Sequence, residues 1–168
     1  GHVDIVAKNC KASVKKILSF ISLDLPKKLK KIHFQKPSII HDIQCTIPIA
    51  DSMSSIVKAK LYNPEVKIIG HPFLDNHIEL LLKNKILSID NPSSKFYKGF
   101  ASFSYRQDIT ENQFNLDLNL QDLSYAQLTS STKNDSFTSG KGKINGHAQI
   151  MATFGDIGLA NIEGDGHI

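Results

Sequence analysis

Residues 113–121 read Gln-Phe-Asn-Leu-Asp-Leu-Asn-Leu-Gln, and apolar and polar side chains alternate through them without exception. Phe114, Leu116, Leu118 and Leu120 fall on one side, Asn115, Asp117, Asn119 and Gln121 on the other. Successive side chains of an extended chain point to opposite faces, so this period of two predicts a β-strand with one apolar and one wet face. The same period runs upstream. Ile43, Cys45, Ile47 and Ile49 alternate with Asp42, Gln44, Thr46 and Pro48, and Val57, Ala59 and Leu61 alternate with Lys58 and Lys60. Further strands are expected at 66–69, at 77–82 and 85–89 around a Lys83-Asn84 turn, and at 95–107, which joins 113–121 through residues 108–112. Downstream, Ile144, Gly146, Ala148, Ile150, Ala152 and Phe154 face away from Lys143, Asn145, His147, Gln149, Met151 and Thr153.

Two stretches break this rhythm. Val14, Ile17, Leu18, Ile21 and Leu25 recur at three- and four-residue steps, with Lys15, Lys16, Ser19 and Ser22 mainly on the other side. This predicts an amphipathic helix over 9–25, with Asn9 as its N-cap and Pro26 marking its end. A short turn or helix is expected at 122–128, before a polar break at 130–139. Seven of the ten glycines lie between Gly140 and Gly166, a density that in strands indicates bulges, bends or close backbone approach. The expected fold is therefore α+β and mostly β: one N-terminal helix, then about eight strands in hairpin order forming a curved antiparallel sheet over 32–128 and 138–168. With no crossover helices between strands, a parallel βαβ sheet is excluded.

The 168 residues suffice for one domain. At 40% apolar and 21% charged the chain should fold, and no apolar run reaches the ~18 residues of a membrane-spanning helix. Gly1-His2 reads as a cloning remnant and the last residues as an interrupted strand, so the chain is expected to be a piece of something longer. Charge is unevenly placed: residues 1–36 carry nine lysines against Asp4 and Asp24, while the remainder is slightly acidic. Lys27, Lys28, Lys30 and Lys31 form a basic run suited to a membrane surface, an acidic partner or plain solvation. Arg106 is the only arginine and tryptophan is absent, which disfavours nucleic acid, where arginine and aromatic stacking dominate recognition.

Candidate chemistry is sparse. Ser13/Lys16, Ser55/Lys58 and Ser130/Lys133 each fit S-x-x-K, but the serine and lysine content explains such matches and no S-D-N or K-T-G partner occurs. Gly140-Lys141-Gly142 and Gly164-Asp165-Gly166 complete neither a dinucleotide fingerprint nor a P-loop. Asp108 and Glu111 flank a turn where carboxylates are solvated, and His41 reads as a strand-edge residue. The two cysteines, Cys10 and Cys45, form no CxxC pair, and no two of the seven histidines form an HxxxH pair, so no metal is expected. One disulfide between the cysteines remains open, as does a buried, reduced Cys45. No cofactor is implied, and the chain is read as no enzyme.

The order of elements carries a resemblance. Leu25-Pro26 precedes the basic stretch, a strand starts at Lys36-Pro37, and Val57-Lys-Ala-Lys-Leu61 and Ile86–Ile89 strands follow. A strand then opens with Tyr97-Lys98-Gly99, the Leu116–Leu120 strand leads into Asp122-Leu123-Ser124, and glycine punctuates the closing strands from Gly140 to Gly166. From about Val14 onward this resembles the AsmA-like C-terminal region of bacterial envelope proteins, the AsmA/TamB/YhdP group. The resemblance implies a periplasmic segment, anchored to the inner membrane in the full-length protein, that serves outer-membrane assembly or phospholipid transport through an apolar β groove. The partners it implies are phospholipid or another envelope lipid and other envelope proteins. The groove residues would be Ile43, Cys45, Ile47, Val57, Leu61, Phe114, Leu116, Leu118, Leu120, Ile144 and Ile150. The competing readings are a closed core under the helix, and a structural or protein-binding β module acting by edge-strand pairing without lipid.

Overall fold

The computed structural model describes residues 1–21, 32–50, 54–68, 70–108, 110–111, 113–131, 141–153 and 161–167. Among these residues ten strands and two short helices follow one another: β1 (His2–Ala12), α1 (Val14–Ile21), β2 (Ile32–Phe34), β3 (Ser38–Pro48), β4 (Ile56–Ile68), β5 (His71–Lys83), β6 (Ile86–Phe96), β7 (Gly99–Asp108), β8 (Gln113–Ser124), α2 (Tyr125–Ser131), β9 (Lys143–Thr153) and β10 (Asn161–His167). They form one open, curved antiparallel sheet in the order β1-β3-β4-β5-β6-β7-β8-β9-β10, while β2 pairs with the far end of β4. The mostly β architecture of sequential hairpins is thus as the alternation predicts.

The N-terminus departs from expectation. The helix does not start at Asn9: residues 2–12 form a strand with ten register pairs to β3, and Ile17 N donates to Ser13 O at 3.1 Å where α1 begins. Cys10, Val14 and Ile17 do keep helical spacing, but Val3, Ile5 and Ala7 alternate, and a full ladder to β3 outweighs extending a short helix. The rest of the expected helix, 22–25, and the basic run Lys27, Lys28, Lys30 and Lys31 lie outside the described residues.

A second departure is the strand expected across 95–107. The chain reverses inside it, with Phe96 opposite Gly99 and Tyr97 and Lys98 at φ 44° and 63°. Two consecutive left-handed residues give the tight turn that suits strand twist, although Tyr and Lys seldom occupy it. Tertiary contacts hold this turn. The Tyr97 hydroxyl lies 2.8 Å from His71 Nδ1, its ring packs edge-on to Phe96, and its carbonyl accepts Ser124 N at 2.8 Å. Gly99 follows, and a Cβ there would meet the β8 backbone, lying 2.6 Å from Asp122 C and 2.7 Å from Asp122 O. The β5–β6 turn has the same form, with Asn84 and Lys85 at φ 52° and 65°, one residue on from the expected place.

Bends interrupt the ladders at Ile40/Asp42, Asn91/Ser94 and Leu120/Leu123, and Asn9, Asp75 and Asp122 adopt positive φ. Buried side chains take over the backbone groups these bends release. Asn63, fully buried beside Pro64, donates Nδ2 to Lys36 O and Ser38 Oγ and accepts Glu65 N on Oδ1, each at 2.9 Å. Asn76, its register partner, donates to Asn63 O at 3.1 Å and Phe73 O at 2.7 Å. The Asn91 carboxamide reaches Asn76 Oδ1 at 3.0 Å, Ser94 Oγ donates to Ala101 O at 3.0 Å, and Asn145 Oδ1 accepts Asp122 N at 2.8 Å. A proline within an internal strand is tolerable here because this substitute bonding surrounds it.

Two changes test these constraints. Gly99→Ala should destabilise the chain by about 3 kcal/mol through backbone collision, whereas Gly146→Ala, whose Cβ meets only Leu120 Cδ1 at 3.8 Å, should shift stability by less than ~1 kcal/mol in urea unfolding. Asn76→Ala leaves the buried Asn63 and Phe73 carbonyls without their donor. It should cost about 3 kcal/mol in the same assay, more than a typical surface substitution.

Candidate functional site

Antiparallel register places directly opposed residues on the same face, so the ladders can be followed across the sheet. One row runs Ala7, Ile43, Ala59, Leu80, Ile89, Tyr105, Leu116, Ile150. A parallel row begins Ile5, Cys45, Val57, Leu82, Leu87 and ends Gln107, Phe114. Phe103, Leu118 and Ala148 align likewise, as do Ala101, Leu120 and Gly146, Leu123 and Ile144, and Val3 and Ile47. These rows hold ten of the eleven expected groove residues, and Leu61, two residues beyond Ala59 along β4, stands on the same face. What sequence reasoning missed is β1, whose Val3, Ile5 and Ala7 extend the same face to the sheet edge; their alternation was the signal.

Coverage of this face is graded. Ile43, Val57 and Leu61 are buried in the main cluster with Val14 and Ile17 of α1, so they support the lining but offer no free surface. Cys45, Phe114, Leu116 and Leu118 pack against that cluster while half exposed, and Leu120 and Ile144 flank a second cluster of Phe73, Phe96, Ala101 and Leu123. Ile47 and Ile150 are half-buried too. At the β1 edge Val3 and Ile5 are 49% and 47% exposed. The face is buried in the middle, half-buried along β8 and β9, and most exposed at β1.

Gln107 and Tyr105 are polar members of the lining. Tyr105 Oη donates to Gln107 Oε1 at 2.7 Å, burial pushes the Tyr105 phenol well up, and the buried Gln107 Nε2 has no hydrogen-bond partner among the described residues. The cysteines are both free. Cys45 stands opposite Ile5 and Cys10 opposite Ile40, about 17 Å apart along the β1–β3 ladder, far beyond the ~7 Å a disulfide spans. Burial raises the Cys45 thiol pKa, which suppresses the thiolate.

The outer face carries charged pairs. Asp117 accepts His147 Nε2 at 3.1 Å on both oxygens, Gln149 Nε2 at 3.1 Å and Asn119 Nδ2 at 3.2 Å. Asp75 accepts Lys95 Nζ at 2.7 Å and Tyr62 Oη at 3.0 Å, and Lys60 meets Glu79 directly across the ladder at 2.9 Å. His147 above all holds the Asp117 carboxyl below its ordinary range, and Lys95 followed by Tyr62 does so for Asp75. Asp108 accepts Thr110 N and Oγ1 in the turn, and His41 is exposed at the β3 bend. Among the described residues no three His, Cys, Asp or Glu side chains gather as metal ligands, and no helix is long and apolar enough to cross a membrane.

No family model matches the chain, and neither a curated protein nor a solved structure does. The face itself thus carries the functional argument. Chemically it can remove hydrocarbon from water, at roughly 25 cal/mol per Å² of apolar surface covered.

The outer-face pairs predict acid sensitivity. Carboxyl pKa values lowered on folding stabilise the fold above the unfolded value near ~4, and that stability is lost as pH falls through the lowered folded values. Thermal midpoints should therefore drop on acidification below about pH 4. Tyr62→Phe should move the Asp75 carboxyl titration, followed by NMR, upward while leaving Asp117 unchanged.

Proposed function

We propose that this chain is a non-catalytic segment of an AsmA-like envelope protein whose inner sheet face shields the acyl chains of phospholipid or another envelope lipid. In this reading it works in the periplasm, attached to the inner membrane through the full-length protein, in outer-membrane assembly or phospholipid transport. The observation that supports it is the in-register apolar face spanning β1 to β9, exposed at β1 and half-buried along β8 and β9. Monomeric soluble proteins seldom leave a contiguous apolar surface open unless it meets an apolar partner. The residues that would touch lipid are Cys45, Ile47, Phe114, Leu116, Leu118, Leu120, Ile144 and Ile150, with Val3 and Ile5 at the margin. Ile43, Val57 and Leu61 would form the packed support behind them. Lys27, Lys28, Lys30 and Lys31 would face anionic headgroups.

A second reading is a structural β module that recruits partners by edge-strand pairing, and the exposed apolar residues of β1 favour it. The two differ in cargo. Native mass spectrometry of chain purified from a bacterial envelope should show bound phospholipid, and Leu118→Asp should abolish it while the thermal melt stays cooperative, since Leu118 is half exposed. Chain that carries no lipid, and takes none from phospholipid vesicles, would leave the edge-pairing module as the function.

A further inference from the structure

Among the described residues, β1 pairs only with β3, and none pairs with its other edge along the eleven residues of the strand. Lys8, Lys11 and the bend at Asn9 guard the second half of this edge, and the first half carries no such device. Proline is absent from the strand, and Val3, Ile5 and Val6 are 49%, 47% and 65% exposed. Such an edge is a template for another strand.

The sequence of β1 specifies which one. If two copies of β1 lie antiparallel about a two-fold axis through Val6, Asp4 of each copy faces Lys8 of the other. Val6 then meets Val6, and Ile5 meets Ala7. Within residues 2–8, moving the axis to Asp4 or to Lys8 opposes like charges, and moving it to Ile5 or to Ala7 leaves neither Asp4 nor Lys8 opposite the other. Over residues 2–8, a one-residue slip that opposes odd with even positions would set the apolar face of one copy against the wet face of the other. Over residues 2–8, ahead of the bend at Asn9, only the Val6-centred register satisfies charge and face together. Asp4 retains capacity for it: its carboxylate accepts Thr46 Oγ1 at 2.8 Å and meets His2 Nε2 at 3.0 Å yet stays 56% exposed.

We infer that β1 is a self-association edge, through which two copies of this chain join by a two-fold antiparallel β1–β1 pairing centred on Val6. The pairing makes a single sheet of both copies and carries the row of Ile5 and Cys45 into the partner's row of Ala7 and Ile43. It goes beyond the lipid reading and does not depend on it, because backbone pairing needs no cargo.

Sedimentation equilibrium of the whole chain at micromolar concentrations should give a dimer. Val6→Lys, which places two ammonium groups at the axis, should give a monomer with an unchanged circular-dichroism spectrum, since Val6 is exposed in a single copy. Asp4→Lys or Lys8→Asp alone should weaken association roughly tenfold, and the double exchange should restore it, because two opposed pairs change sign and then recover. In a Cys10→Ser, Cys45→Ser background, Val6→Cys should form a disulfide-linked dimer on mild oxidation, the two Cα atoms being within bridging reach across paired strands. A wild-type monomer at every concentration, a dimer indifferent to Val6→Lys, or no Val6→Cys cross-link would overturn the pairing. The lipid assay on monomeric Val6→Lys chain separates this outcome from that of the proposed function.

Discussion

A ten-stranded sheet keeps one apolar face only if its strands agree on which residues point inward, and this agreement is what the rest of the molecule depends on. One residue of slippage would turn every inward side chain of a strand toward water. The strands bend repeatedly and still agree. In β4 the buried residues pass from Leu61 and Asn63 to Val66, a change of parity, and in β5 they pass from Phe73 to Asn76 and Ile78, the same change in mirror order. β1 and β3 match likewise: Ala7 lies opposite Ile43 and Cys10 opposite Ile40, each pair flanking a bend at Asn9 or His41. Where only one strand changes parity, as in β6 at Asn91/Ser94 against the regular β7, the register shifts to absorb the extra residue.

Bends have a cost in backbone hydrogen bonds, and it decides which polar residues occupy the interior. Asn63, Asn76, Asn91 and Ser94 sit on the inward face, where a pattern of pure alternation would place Leu or Val. A carboxamide buried in apolar surroundings is unfavourable unless its donors and acceptor are used, and those of Asn63 and Asn76 are used on backbone that the bends set free. The polar band is thus the counterpart of the curvature. Without it the sheet would straighten or leave carbonyls orphaned in the core. Gln107 departs from this pattern, for its Oε1 is engaged by Tyr105 while Nε2 is not.

The parts of this fold legible in the sequence were those written in local period. Strand β8 could be read directly, because Phe114 to Leu120 alternate without a break, and Asn84 marked its turn to within one residue. β1 was obscured because Cys10, Val14 and Ile17 share a helical spacing that runs across the junction between a strand and a short helix; only the ladder to β3 decides where one ends. The Tyr97-Lys98 turn was obscured for another reason. Neither residue favours positive φ, and the turn exists because His71, Phe96 and Ser124 hold it, contacts distant in sequence. The glycine-rich end suggested close backbone approach there; Gly146 has room, and a close approach is found instead at Gly99. The membership of the candidate face was legible from alternation. Its coverage was not, because burial of Val57 and Leu61 beside half-exposed Leu116 and Leu118 depends on where α1 settles and how the sheet curves.

That gradient bears on how such a face can work. A fully closed core admits no ligand without unfolding, and a fully open apolar sheet of this breadth would aggregate through the face itself. Here the central strands bury their side chains against each other and against Val14 and Ile17, so the stability of the fold is secured before any partner arrives. The outer strands then hold Phe114, Leu116, Leu118, Ile144 and Ile150 at a spacing fixed by β8–β9 pairing, each half-buried. In the proposed lipid role, a surface of this kind would already be ordered on meeting hydrocarbon, so little conformational entropy would be lost on contact. Rigid support in the middle and incomplete cover at the margins are therefore two consequences of one arrangement, the unbroken register of inward-facing residues.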